Sequence, residues 1–205
     1  MRVIKLALLI VVIISLFSCA SAYKNINPNS VNYLSESEAE GLKLEYKYDL
    51  LDKKYAKKEV KKGVKLVALK ITNDTDRDLV IGKDFSLVYA NGSDIHILDL
   101  DKTFVSLKQS PATHLLYLLL TPVNLYTTET KNGYQETTSS TPIGLILGPG
   151  LAAGNMIAAG SANKKFKQEI SDYNIYGSVI KKGETKVGLV GIKSFSHDAL
   201  KLKLK

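Results

Sequence analysis

The chain has 205 residues, 28 lysine plus arginine against 20 aspartate plus glutamate, and a formal net charge of +8. This length suits one domain of ordinary size after a short leader, and one cysteine excludes an internal disulfide framework. The basic excess is lysine: beyond residue 18 the only arginine is Arg77, which argues against nucleic acid as a partner because arginine is the residue suited to bidentate phosphate recognition. A lysine-rich surface can attract anionic headgroups or acidic glycans. Its simpler reading is solvation.

Arg2 and Lys5 precede an unbroken apolar run from Leu6 to Ile14, the order of a secretory n-region and h-region. With its flank the run covers Leu6 to Phe17, twelve residues, short of the roughly 20 apolar residues that span a bilayer core. Leu16-Phe17-Ser18-Cys19 follows, and this motif resembles the lipobox of bacterial lipoproteins. The resemblance implies cleavage before Cys19, a diacylglyceryl group on its sulfur and a further acyl chain, commonly palmitate, on the new amino group. Phe17 departs from the pattern, where a small residue is usual. Two or three acyl chains hold a protein stably, whereas one holds it marginally. Ala20 stands where an aspartate signals inner-membrane retention in many lipoproteins, so the resemblance points to the outer membrane. Removing Arg2 and Lys5 with residues 1–18 leaves 26 basic against 20 acidic residues.

Residues 19–41 are expected to form the lipidated cysteine and a polar tether. Asn25, Asn27, Pro28, Asn29 and Ser30, then Ser35 to Glu40, carry little apolar weight. As a flexible coil this length has an r.m.s. reach of about 25 Å.

The body, 42–205, opens on a strict alternation. Leu42, Leu44, Tyr46, Tyr48 and Leu50 interleave with Lys43, Glu45, Lys47 and Asp49, which predicts a half-buried strand. Further strands are expected over Val64 to Thr72, Leu79 to Ile81, Phe85 to Ala90, Asp94 to Leu100, Thr185 to Lys193 and Ala199 to Lys205. Asn91-Gly92 predicts a two-residue type I′ turn. Leu44, Tyr46, Leu66, Leu87, Leu189 and Leu202 are expected to share one core. Short antiparallel strands joined by polar turns predict a mainly β sandwich. The ending, Ile180 through Leu204, resembles the last strands of immunoglobulin-like domains in bacterial envelope lipoproteins, which implies an antiparallel immunoglobulin-like β-sandwich.

A Gly/Ala-rich helical insert, about 108–176, interrupts the strands. His114 to Tyr126 is apolar, Thr127 to Thr141 reads as a Thr/Ser-rich loop, and Pro142 to Asn163 carries no charge. Gly144/Gly148 and Gly150/Gly154 are small-xxx-small pairs that permit close backbone approach, and Gly160 extends the series. A stripe of Met156, Ala159, Asn163, Phe166, Ile170 and Tyr173 predicts a helix over about 151–172. This segment is the expected interaction segment, packed on its own domain or on an envelope partner or membrane. Pro149 and the glycines disfavour a second span.

Other patterns fall short of a site. Gly148-Pro149-Gly150 with Gly154 resembles a dinucleotide-binding glycine motif, but no βαβ succession surrounds it. Asp74, Asp76 and Asp78 have calcium-loop spacing without the loop's glycine or glutamate. His96, His114 and His197 lack zinc-ligand spacing, and His197-Asp198 has no accompanying serine elbow. No cofactor and no catalytic residue is assigned. The expectation is a non-enzymatic, lipid-anchored binding or scaffolding module of the cell envelope, with an envelope enzyme or small-ligand carrier as the alternative.

Overall fold

The computed structural model describes Cys19 to Lys205; the leader read over residues 1–18 lies outside the described residues. The chain divides into two compact units. One comprises 23–109 and 163–205 and is called here the sheet unit; the other, among the described residues, comprises 110–162 together with 19–22 and is called the apolar unit.

In the sheet unit, β1 (Ser35–Ala39) and β2 (Leu42–Lys47) form a hairpin. The tether expected over 19–41 is therefore corrected. Glu40 and Gly41 both adopt positive φ, 55° and 74°, which is the two-residue turn that matches strand twist. Glutamate in place of the usual asparagine hid it. Upstream, Ile26 and Pro28 are buried and Tyr23 packs on Tyr55 and Phe166. Apolar side chains at 23, 26 and 28 anchor this stretch on the sheet unit while Lys24, Asn25, Asn27 and Asn29 between them stay exposed.

The expected alternation in β2 holds through Tyr46: Leu42, Leu44 and Tyr46 are buried while Lys43, Glu45 and Lys47 are not. It stops at Lys47, and Asp49 takes a positive φ of 54°. Helix α1 (Lys53–Lys62) follows, with only Tyr55 and Glu59 buried, and Gly63 closes it in the left-handed conformation. One buried position being a glutamate leaves it without a readable apolar stripe.

Strands β3 (Val64–Asn73) and β10 (Thr185–Lys193) match the expected spans and pair antiparallel. Together with β1, β2 and β6 (Ile97–Leu98) they make a five-stranded sheet in the order β1-β2-β3-β10-β6. β5 (Phe85–Tyr89) pairs with β11 (Leu200–Leu204), and β4 (Leu79–Val80) with β9 (Val179–Ile180). Phe85, Leu87, Leu200 and Leu202 from the smaller sheets share one core with Leu44, Tyr46, Val67, Leu69, Ile71 and Ile192. Tyr46 adds a polar tie, its hydroxyl accepting the Leu200 N–H at 3.1 Å.

Leu66 and Leu189 are buried but stand outside that core. Both alternate against core residues, Leu66 with Val67 and Leu189 with Val190, so they point from the opposite face. That face is covered by helices: α1 and α2 (Leu100–Leu107) pack on β3, and α2 also on β10. The expectation of one shared core is corrected to two layers either side of a sheet buried on both faces, as the continuous burial of Val64 to Leu69 requires. The described residues thus form antiparallel sheets with three helices, a mixed α and β arrangement in place of the mainly β body expected.

The Asn91-Gly92 turn is also corrected. Gly92 has φ 87°, but Asn91 does not join the positive-φ residues, and Tyr89 N–H donates to Ser93 O, closing a three-residue loop. Asn91 Oδ1 instead accepts from Ser93 N–H and Oγ, an Asx turn. Asp94 to Leu100 shortens to two strand residues because Asp99 caps α2, accepting the Lys102 N–H at 2.7 Å.

In the apolar unit, Pro111–Leu120 is a 3-10 segment. The loop expected over Thr127 to Thr141 is instead a hairpin, β7 (Leu125–Lys131) and β8 (Tyr134–Thr141). Its tip, Asn132-Gly133, has φ 51° and 81°, the two-residue turn expected at Asn91-Gly92. Helix α3 begins at Gly144, seven residues before the expected start, continues through Pro149 and ends at Asp172 in the sheet unit.

Candidate functional site

Cys19 is exposed. Its Sγ lies 4.0 Å from the Tyr117 hydroxyl, and the next residue's N–H donates to Asn155 Oδ1 at 2.6 Å. Tyr117 belongs to the 3-10 segment and Asn155 to α3, so Cys19 is seated on the two apolar elements of its own unit.

The glycine series divides. A Cβ added at Gly144 would lie 2.0 Å from Leu120 O, and one at Gly148 would lie 3.0 Å from Tyr117 O. These two glycines let α3 press on the backbone of the 3-10 segment, as their spacing predicts. Gly150, Gly154 and Gly160 have open space where a Cβ would stand. The tight contact expected at Gly154 is therefore absent. With Gly144 and Gly148 holding the packed face, a position six residues on from Gly148 falls on the far side of a 3.6-residue turn.

Burial in this unit runs opposite to the ordinary order. The buried positions of the 3-10 segment are His114 and Tyr117, while Leu115, Leu116, Leu118 and Leu119 are exposed, Leu119 at 75%. In the first half of α3 the buried residues are small, Gly144, Gly148 and Ala152. The large ones face out, with Leu145 61%, Ile146 78% and Ile157 74% exposed. Between Ser110 and Ala162 the only charged residues are Glu129, Lys131 and Glu136, all on the hairpin.

The remaining stripe of α3 performs as predicted within the sheet unit. Phe166 and Ile170 are buried while Lys164, Lys165 and Lys167 are exposed. Asn163 reads the Gln109 backbone at both ends: its Oδ1 accepts Gln109 N–H and its Nδ2 donates to Gln109 O, each at 2.9 Å. Glu169 accepts from Tyr23 Oη and from Ile26 N–H, the latter at 2.8 Å. Burial, reinforced by this carboxylate, raises the Tyr23 hydroxyl well above its ordinary range.

A polar cluster that sequence reasoning missed surrounds Glu59. The carboxyl is buried and accepts Leu66 N–H at 2.8 Å. Desolvation pushes it up to about 7, against the favourable Leu66 hydrogen bond and the charge of Lys65. Lys65 Nζ approaches His197 Nε2 at 3.0 Å, and that nitrogen is 2.9 Å from Asp49 Oδ1. Ser196 donates to Asp198, so the hydroxyl nearest in sequence to His197 is engaged elsewhere. A run of lysines around Glu59 carried no spacing that could have announced this cluster.

Other weak patterns are absorbed by turns. Asn73 donates to Arg77 O and Ile180 O and accepts Thr75 N–H, while Asp78 accepts Lys182 N–H, so the Asp74 to Asp78 stretch is a hydrogen-bonded turn. Gly148, Pro149, Gly150 and Gly154 lie inside α3, which leaves no strand-to-helix loop for a pyrophosphate. Among the described residues no group of three His, Cys, Asp or Glu side chains is placed to hold a metal ion. An open groove of about 530 Å³ in the sheet unit is lined by Val64, His96, Leu98, Asp101, Val105 and Lys193, among others. No family model, curated protein or solved structure matches the chain.

Proposed function

We propose that this chain is an exported lipoprotein held to the cell envelope through acyl chains on Cys19, in the outer membrane, acting as a non-enzymatic binding or scaffolding module. The observation that carries the reading is Leu16-Phe17-Ser18-Cys19 placed directly after a charged start and a short apolar run. The exposure of Cys19 supports it, since a modified thiol must be accessible. For the sheet unit we propose an immunoglobulin-like sandwich, supported by a core shared between the five-stranded sheet and the β5–β11 pair. The binding role extends to an envelope partner through the insert. The groove beside His96 and Lys193 favours a second reading, a small-ligand carrier.

Cys19→Ser in intact cells is the direct test. The wild type is expected to take up labelled palmitate and to sediment with membranes, and the variant to lose the label. A variant that keeps the label would reject acylation at Cys19.

A further inference from the structure

We infer that the leucine-lined face of the apolar unit inserts into the lipid leaflet next to Cys19, so that protein side chains and the N-terminal anchor hold the membrane together. The inference rests on the export reading of the N-terminus and adds a second, protein-borne membrane contact to it.

Two independent observations carry it. The first is the inverted burial. A segment folded for water turns Leu115, Leu116, Leu118 and Leu119 inward and leaves His114 and Tyr117 at the surface; this one does the reverse. In α3 the contact face is built of Gly144, Gly148 and Ala152, and Leu145, Ile146 and Ile157 point outward. Small residues at the helix contact with large apolar ones outside is the pattern of helices that pack in lipid, where burying leucine against protein gains little over leaving it in acyl chains. By length and composition alone α3 also has the character of a membrane-crossing helix.

The second observation identifies the occupant. The sequence before Cys19 carries the apolar run Leu6 to Ile14, and Cys19 sits on this unit, against Tyr117 and beside the Ala20–Asn155 hydrogen bond. Whether the sulfur carries acyl chains or the leader stays attached, the membrane-seeking element leaves the molecule from this unit. A stretch without charge outside its hairpin meets no desolvation cost of ionised groups on entering the leaflet. The proposed contact is apolar in character, the charges between Ser110 and Ala162 all lying on the hairpin.

The test separates side-chain insertion from acylation. Mature chain carrying Cys19→Ser, without acyl chains, is mixed with phosphatidylethanolamine/phosphatidylglycerol vesicles and floated in 1 M salt, which screens headgroup attraction. It is expected to float with the vesicles. The variant adding Leu116→Lys, Leu119→Lys and Ile146→Lys is expected to lose about tenfold or more of this partitioning with an unchanged melting curve, since all three side chains are exposed. Because Cys19 is the only cysteine, Cys19→Ser with Leu119→Cys accepts a single environment-sensitive label, which should shift to the blue and be quenched by nitroxide lipids.

Cys19→Ser protein that stays with the aqueous fraction as a monomer overturns the inference. A salt-resistant dimer that ignores vesicles and is broken by the lysine variant also overturns it, by giving the face to a second copy. Palmitate labelling of the wild type keeps the two proposals apart: a labelled wild type with a non-floating Cys19→Ser variant leaves the lipoprotein reading intact while the insertion fails.

Discussion

In the sheet unit the least exposed side chains are Leu44, Phe85, Ile71 and their neighbours, and lysines occupy the outer positions of β2 and β11. In the apolar unit the packed positions are His114, Tyr117, Gly148 and Ala152, while Leu119 and Ile146 stand exposed. Water as the surrounding medium explains the first distribution, because burying a large aliphatic side chain is worth about 1.5–3 kcal/mol. It does not explain the second. On the proposed lipid contact, one chain carrying both teaches that hydrophobic residues mark the inside of a unit only when the outside is water. Packing of small residues and hydrogen bonds still defines the contact face when it is not.

The comparison is broken most directly at its largest expected effect. Phe85→Ala should destabilise the sheet unit by about 3–5 kcal/mol, the cost of a buried aromatic lost from a core. Leu119→Ala should stay within about 0.5 kcal/mol, as surface substitutions do. Chemical denaturation read from each unit separately measures both; comparable losses would place Leu119 in an ordinary core.

The next effect sharpens the contrast in charge. Glu59 is buried in the sheet unit and its carboxyl is pushed up to about 7, above the roughly 4.3 of an unfolded chain. A raised acid favours the folded state fully below its unfolded value and loses that contribution as pH rises through the folded one. Stability of the sheet unit should therefore fall between about pH 4.3 and pH 7, by up to about 4 kcal/mol, since a tenfold change in acidity is worth about 1.4 kcal/mol. Glu59→Gln should flatten this decline while its side-chain oxygen keeps the Leu66 hydrogen bond. An unaltered pH profile in the variant would assign the decline to other groups.

The smallest effect compares two glycines of one helix. Gly148→Leu should cost about 1–3 kcal/mol through overpacking against the Tyr117 and Thr121 backbone. Gly154→Leu, with open space around it, should be neutral or gain up to about 1 kcal/mol of helix propensity. Thermal melts followed by circular dichroism distinguish them, and equal costs would require a partner at Gly154.

Periodicity by itself determined β2, β11 and the stripe through Ala159, Asn163, Phe166 and Ile170, because an alternation or a three-four spacing records which face meets the core; short apolar runs bounded by turns marked β3 and β10. Spacing also determined that Gly144 and Gly148 permit close approach. Tertiary structure alone decided that Leu66 and Leu189 leave the Leu44 core, since a run apolar at every position does not say which neighbour covers each face. It decided that Glu59 is buried, because a charge is taken inside only where Leu66 N–H and Lys65 meet it from other elements. And it decided which way the leucines of 111–120 point: their number was plain in the sequence, but the packing of His114, Tyr117 and Gly148 fills the contact face and turns them outward.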